Sequence, residues 1–231
     1  MDGLSGLPDF ASLTAEQAIA ALEAAGWTQL SAGDWSWVFL SPEETQVARV
    51  SPWDAAYRLH AELCARRPIR YVQRVDAILP LGAVGHVVVM ERLWPAPDVE
   101  AAAFCVALGV ESDSGWRPSE PTGTSAFDHD PALNDLRRHL RELERLGAAL
   151  PFWGGFDTRP GNVMRDGAGV LKLVDPVFVS GPKIVAAIEG RDRSSLLKLP
   201  PGAVAAFFTI PPFKAGGGAE LRVAAAEMGL L

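Results

Sequence analysis

A two-lobed α+β fold, with a small antiparallel-sheet lobe ahead of a reduced, mainly helical one, is what the sequence predicts, and three observations carry it. Segments rich in Trp, Val, Phe and Leu at 27–31, 35–40 and 45–50 follow one another at hairpin spacing, and two more, 69–75 and 85–91, come after an intervening helix. Past Trp94-Pro95-Ala96-Pro97 the pattern turns helical, from about Asp98 to Leu108 and again from Asp130. Finally, Gly155-Phe156-Asp157-Thr158-Arg159-Pro160-Gly161-Asn162-Val163-Met164 and Leu171-Lys172-Leu173-Val174-Asp175-Pro176 place polar residues around two short apolar strands.

Each element has its own local signal. Thr14-Ala15-Glu16-Gln17 is a capping-box signature ahead of an Ala/Leu-rich run ending at Gly26, so a helix is expected over 14–25. The three-stranded meander has its turns at Ala32-Gly33-Asp34 and Ser41-Pro42-Glu43-Glu44. Asp54 is expected to cap a helix to about Ala65, with Tyr57, Ala61 and Cys64 on one side. The strands 69–75 and 85–91 would flank a turn at Leu79-Pro80-Leu81-Gly82. Residues 111–130, dominated by Ser, Pro, Gly and Thr, read as a loop or insertion. Asp130-Pro131, a cap followed by proline at the first helical position, opens a periodic helix that stops at Gly147. Arg137, Arg141 and Arg145 recur on it as a solvated face. The tail from Lys183, with Pro200-Pro201, Pro211-Pro212 and Gly216-Gly217-Gly218, fits a shortened helical lobe. The expected organisation is one domain over 1–231, its sheet lobe at 1–93 and its helical lobe at 94–231 with the polar loop at 155–177.

Composition narrows the function classes. At 231 residues, 48% hydrophobic and 21% charged, the chain can bury a core. A net charge of -7 and a pI near 5.1 argue against a general nucleic-acid or anionic-membrane binder, because those partners need a basic surface. The start, MDGLSGLPDF, has neither the basic nor the apolar region of a signal peptide, and no apolar run approaches the roughly 20 residues of a membrane span. A soluble, cytoplasmic protein is expected. Cys64 and Cys105 lie in apolar helical segments without CxxC spacing, as buried thiols of a reducing compartment. His60, His86, His129 and His139 show no metal-ligand spacing, so no zinc site is expected. Of the seven tryptophans, those near turns are read as packing aromatics.

The loop carries the chemistry. An Asp at 157, an Asn five residues on and a second Asp thirteen beyond that suit phosphoryl transfer: one acid accepts a hydroxyl proton while the amide and the other acid hold magnesium on nucleotide phosphates. From about 27 to 180, the meander, helix, two strands, hinge, helices and DxxPGNV loop followed by LVD resemble the protein-kinase-like fold. The similarity is to its compact bacterial and phage members and to the small-molecule phosphotransferases.

That resemblance implies roles. Asp157 would be the catalytic base, and Asn162 and Asp175 the magnesium ligands, with Pro160-Gly161 turning the loop between them. Arg49 stands on the third strand where the family places a phosphate-pairing Lys, and Glu62 on the next helix would position it. Gly33 is the single glycine where the family has a glycine-rich phosphate loop, with Ser31 or Ser36 hydroxyls as partial substitutes. Met90-Glu91-Arg92-Leu93 resembles the hinge, where the backbone of Glu91 and Leu93 would meet adenine. Gly155-Phe156 replaces the usual His-Arg or His-Gly, Pro176 replaces an aromatic, and no Ala-Pro-Glu follows. A proline there stiffens the segment, so a constitutively assembled site is expected. The resemblance thus implies ATP and magnesium as cofactors and a phosphotransferase of the Ser/Thr protein-kinase type, acting on a protein or small-molecule hydroxyl. Alternatives are an aminoglycoside-phosphotransferase-like kinase, and a pseudokinase serving as a nucleotide-binding or interaction module. The oligomeric state stays open.

Overall fold

Thr14 opens the first helix, α1 (Ala15–Ala24), through a complete capping box: its hydroxyl accepts from the Gln17 amide at 3.3 Å, and the Gln17 side chain accepts from the Thr14 amide at 2.9 Å. The computed structural model in which this is seen describes residues 7–109, 127, 130–214 and 217–231. The expected loop at 111–130 therefore lies, except for Phe127 and Asp130, outside the described residues.

The fold is α+β. Strands β1 (Thr28–Ala32), β2 (Trp37–Leu40) and β3 (Gln46–Ser51) form the expected antiparallel meander, and β4 (Val75–Leu81) and β5 (Gly85–Glu91) complete a sheet of order β1-β2-β3-β5-β4. Ala15, Ala18, Ile19 and Leu22 recur at helical spacing on α1 and are buried in a core with Phe10, Trp27, Trp37, Phe39, Val50, Leu81, Val87 and Val89. Burying each Leu or Phe there contributes about 1.5–3 kcal/mol. Strand β5, inside the sheet between β3 and β4, is buried along nearly its whole length, which is why it reads as a continuous apolar run.

The fourth strand corrects the sequence reading. It occupies 75–81 and not 69–75, and the turn comes after Leu81. Pro80, which reads as a turn signal, sits within β4 because β4 is the sheet's edge, where a missing N–H leaves no ladder bond unmade. Residues before it serve another pairing: Val72 bridges Leu173 in parallel and the Leu173 amide donates to the Tyr71 carbonyl at 2.8 Å.

The described residues group into two compact units that interleave along the chain. One draws on 1–54, 76–90 and 180–231, the other on 55–75 and 91–179. The expected division at 93/94 is sequential, whereas these groupings put α2 (Ala55–Arg66) in the second unit and the tail in the first.

In the first unit the tail forms α5 (Gly181–Glu189), capped by the Ser180 hydroxyl, and α6 (Arg193–Leu196), followed by α7 (Ala203–Phe207), α8 (Pro211–Lys214) and α9 (Ala219–Glu227). Asp192 caps α6, and hydrogen bonds from Ser195 and Ser194 draw its carboxyl down to about 2. Trp35 packs against Trp53 and Phe207 at 5.8 and 5.7 Å between ring centroids, and Phe207 against Phe213 at 5.0 Å. Trp35 and Trp53 are packing aromatics, as expected.

The second unit adds β6 (Trp94–Pro95), α3 (Asp98–Leu108), α4 (Pro131–Gly147), β7 (Trp153–Phe156), β8 (Val163–Arg165), β9 (Leu171–Leu173) and β10 (Val177–Val179). Asp130 caps α4 by accepting from the Ala132 amide, and Leu133, Leu136, Leu140 and Leu143 bury its apolar face. Arg137 departs from the expected solvated face. It is buried and donates to the Ala107 carbonyl at 2.6 Å, satisfying an acceptor in the last turn of α3 that the helix itself leaves open. Cys64 and Cys105 are buried free thiols, and burial pushes them up to about 12 and about 11. Among the described residues no helix is long and apolar enough to cross a membrane.

Candidate active site

Two short ladders in the second unit assemble the polar loop. β7 pairs antiparallel with β10, Phe156 opposite Val177, and one further rung follows as the Asp157 amide donates to the Pro176 carbonyl at 2.8 Å. β8 pairs antiparallel with β6 and with β9, Val163 opposite Leu173, and the Val174 amide donates to the Asn162 carbonyl at 2.8 Å. Each ladder thus ends at a residue of the expected catalytic set. Two glycines make β7 possible. A Cβ at Gly154 would lie 2.3 Å from the Phe178 ring, and Gly155 has φ +99, which side-chain-bearing residues rarely adopt.

Asn162 joins the two ladders. Between them, Pro160 starts a 3-10 turn over 160–162, closed where the Asn162 amide donates to the Arg159 carbonyl at 2.9 Å. Its side-chain Nδ2 then donates to the carbonyls of both Asp157, at 2.6 Å, and Asp175, at 3.2 Å. Both amide hydrogens are engaged, and no hydrogen bond among the described residues uses Oδ1. The side chain therefore ties 157 to 175 and leaves Oδ1, a hard oxygen of the kind that could hold a cation.

The two acids differ. The Asp157 carboxylate is 35% exposed and lies 3.3 Å from the Arg159 guanidinium. Asp175 has φ 48, in the left-handed region, immediately before Pro176. That conformation costs roughly 1–2 kcal/mol for a side-chain-bearing residue, and a following proline disfavours it further. Strain of this kind persists where the surroundings overdetermine it, and the rungs at 174 and 176 do so here.

The residues expected to hold nucleotide are arranged differently. In the first unit, Arg49 sits on β3 opposite Val38, 7% exposed, with Nη2 3.2 Å from Asp54 Oδ2. Asp54, which directly precedes α2 at the expected cap position, is also its buried counter-ion. Glu62, expected to position Arg49, is paired within α2 to Arg58 at 3.0 Å and Arg66 at 3.8 Å. A buried guanidinium needs a charge partner within reach, and Asp54, five residues along and itself 1% exposed, supplies it. Gly33 closes the β1–β2 turn, its amide donating to the Ser36 carbonyl at 2.9 Å, so that N–H is engaged within the turn.

Glu91 and Leu93 lie in the second unit. The Glu91 amide donates to the Arg74 carbonyl at 3.1 Å, its carbonyl accepts from Gln73 Nε2 at 2.8 Å, and its carboxylate accepts from the Arg74 amide at 2.7 Å. Adenine pairing through Glu91 would have to use the second lone pair of that carbonyl. Leu93 is buried.

Three charged or polar groups went unread in the sequence. Lys172 is buried between Glu91, at 3.5 Å, and Asp166, at 3.6 Å, beside a cavity of about 400 Å³ that Cys64, Gln73 and Arg74 also line. A lysine between two leucines of a three-residue strand was its signal. Arg159, two residues past Asp157, places a cation at the loop. Thr158 Oγ1 is buried with no hydrogen-bond partner among the described residues.

No family model matches the sequence, and no curated protein matches it. Solved structures are similar at low identity. Aminoglycoside phosphotransferase APH(3'')-Id from Streptomyces rimosus is 15% identical, with a TM-score of 0.37 over 95% of this chain and 93% of that one. Aminoglycoside phosphotransferase APH(4)-Ia is 16% identical, with a TM-score of 0.36 over 94% and 88%. A thermostable mutant of the latter, in ternary complex with AMP-PNP and hygromycin B, is 16% identical, with a TM-score of 0.33 over 90% and 86%.

Proposed function

We propose that the chain is a kinase-like phosphotransferase that uses ATP and magnesium to move a γ-phosphoryl group onto a hydroxyl acceptor. One observation carries the reading: the Asn162 side chain is bonded to the carbonyls of both Asp157 and Asp175. Backbone ladders thereby gather an acid, an amide oxygen and a second acid in the combination that phosphoryl transfer needs.

Each residue has a physical task. Asp157 orients the acceptor hydroxyl and takes its proton as the new O–P bond forms and the bond to the departing ADP breaks. Arg159, beside it, offsets negative charge on the moving phosphoryl group. Asn162 Oδ1 and the Asp175 carboxylate are hard oxygen donors, the ligand type magnesium takes, so the residues present fit that ion. Asn162 and Asp175 would hold the ion, which would supply positive charge to offset that of the nucleotide phosphates. The fixed conformation of Asp175 before Pro176 supports a permanently assembled loop. The acceptor is a Ser/Thr hydroxyl of a protein or a hydroxyl of a small molecule, and ATP as donor fits a cytoplasmic location.

A second reading, a pseudokinase that binds nucleotide without transfer, is favoured by the pairing of Arg49 with Asp54 and the closed turn at Gly33. The test is thermal unfolding with ATP, with and without magnesium, in wild type and Asp175→Asn. At 100 times Kd, binding stabilises by about 2.7 kcal/mol. A magnesium-dependent rise in Tm that Asp175→Asn removes is expected. A rise without any accompanying transfer, whether or not it needs magnesium, selects the pseudokinase, and no rise with ATP under either condition sinks both readings.

A further inference from the structure

α2 and α4 bring three ligand-type side chains together inside the second unit. His60 and Cys64 are four residues apart on α2 and so share a face one turn apart, and His139 comes from α4. His60 Nδ1 lies 3.1 Å from His139 Nε2, and Cys64 Sγ lies 3.7 Å from the first and 3.9 Å from the second. All three residues are buried, at 3%, 5% and 6% exposure. The lack of metal-ligand spacing in the sequence does not bear on this grouping, because His139 stands 75 positions from Cys64.

We propose that His60, Cys64 and His139 form a metal site for a soft d10 cation, zinc(II) or copper(I). The donor set is right in kind: thiolate and imidazole are the ligands those ions take in proteins. It is also right in size. Metal–nitrogen bonds of about 2.0–2.1 Å and a metal–sulfur bond of about 2.3 Å, at tetrahedral angles, put N–N edges near about 3.3 Å and N–S edges near about 3.6 Å. The observed triangle of 3.1, 3.7 and 3.9 Å takes a cation near its centre with shifts of a few tenths of an ångström. The cavity of about 400 Å³ lined by Gln73, Arg74 and Lys172 also borders Cys64.

Binding replaces the thiol proton of Cys64 with the metal and releases that proton to solvent, while each imidazole coordinates as the neutral ring. Charge then separates the two ions. Copper(I) with one thiolate is neutral and needs no fourth ligand, whereas zinc(II) leaves one positive charge in a buried site and calls for a water or hydroxide from the cavity. Among the described residues no fourth His, Cys, Asp or Glu joins the group. The site is independent of the phosphotransfer reading, and either can fail alone.

The test uses the full chain, stripped of metal with a chelator and kept reduced, and titrated with cobalt(II) as a spectroscopic probe. A thiolate-to-cobalt charge-transfer band saturating at one ion per chain is expected. Zinc(II) and copper(I), added in separate arms against a chromophoric chelator, should displace it, and the tighter arm identifies the ion. Cys64→Ala should weaken binding by more than the 10- to 100-fold typical of an outer-shell change, with Cys105→Ala as the unaffected control. Should Cys64→Ala fail to fold, X-ray absorption on the loaded wild type keeps the test alive, with one sulfur and two imidazole nitrogens as the expected shell. A folded wild type without the charge-transfer band, binding unchanged in folded Cys64→Ala, or a shell without sulfur would each overturn the site and leave a hydrogen-bonded histidine pair beside a bystander thiol.

Discussion

The loop at 157–175 and the strand carrying Arg49 differ in what holds their polar groups. In the loop the main chain does the holding: rungs at 157, 162 and 174 and the bridging amide of Asn162 fix the geometry, and the Asp157 carboxylate remains 35% exposed. On β3 the side chain is itself the structure, with Arg49 and Asp54 paired at 3.2 Å and 8% and 1% exposed. A site built from backbone leaves its carboxylate partly exposed, as Asp157 is. One built from a buried ion pair must first give up a partner, which costs about 3–5 kcal/mol.

The contrast can be broken or sharpened by substitution, from the largest effect to the smallest. Asp54→Ala removes the carboxylate 3.2 Å from the buried Arg49 guanidinium and should lower unfolding stability by about 3–5 kcal/mol, with Arg49→Met on top restoring most of it. A loss below about 1 kcal/mol in chemical denaturation would show that the pair is not structural. Asn162→Ala removes two hydrogen bonds between the ladders and should cost about 2 kcal/mol. Asn162→Asp keeps an oxygen for magnesium without those donors, so comparing the two separates metal binding from loop geometry.

Asp175→Gly is expected to act in opposite directions on stability and function. Relief of the left-handed conformation should leave folding about 1 kcal/mol more stable after the added chain entropy of glycine, while magnesium-dependent nucleotide binding is lost. A destabilised Asp175→Gly in the same melt would mean that the side chain, and not the backbone, holds that turn.

The smallest effect is on pH dependence elsewhere in the second unit. The hydrogen bond from Tyr71 holds Asp130 below its usual 3.8, so its stabilisation is present above that value and lost as pH falls through the lower folded one. Burial, then the bond to Asp130, pushes Tyr71 up to about 12, so that share is present below 10.0 and lost as pH rises toward 12. In denaturation curves across pH, Tyr71→Phe should flatten both limbs, and unchanged limbs would remove the bond from the account.

How far the sequence carried follows the range of each signal. α1 and α4 were legible because cap, first turn and apolar face lie within one segment, as with Thr14 to Gln17 and Asp130-Pro131. That Asp157, Asn162 and Asp175 meet in one loop was legible for the same reason, since one contiguous stretch carries them. Where a residue's role depends on a distant neighbour, the reading failed. Pro80 looks like a turn until β4 is known to be an edge, and Arg137 looks solvated until α3 presents a carbonyl to it. Glu62 was assigned to Arg49 by resemblance, yet Asp54 reaches the guanidinium from the same unit. His60, Cys64 and His139 carry no spacing that a sequence reveals.

Transfer of labelled γ-phosphate from ATP by wild type and by Asp157→Asn tests the central claim most directly. The account predicts magnesium-dependent transfer to a protein or small-molecule hydroxyl that falls about 10²- to 10⁴-fold in Asp157→Asn, with nucleotide affinity unchanged. Equal turnover in the two proteins, or none by the wild type with protein and small-molecule acceptors alike, would contradict it.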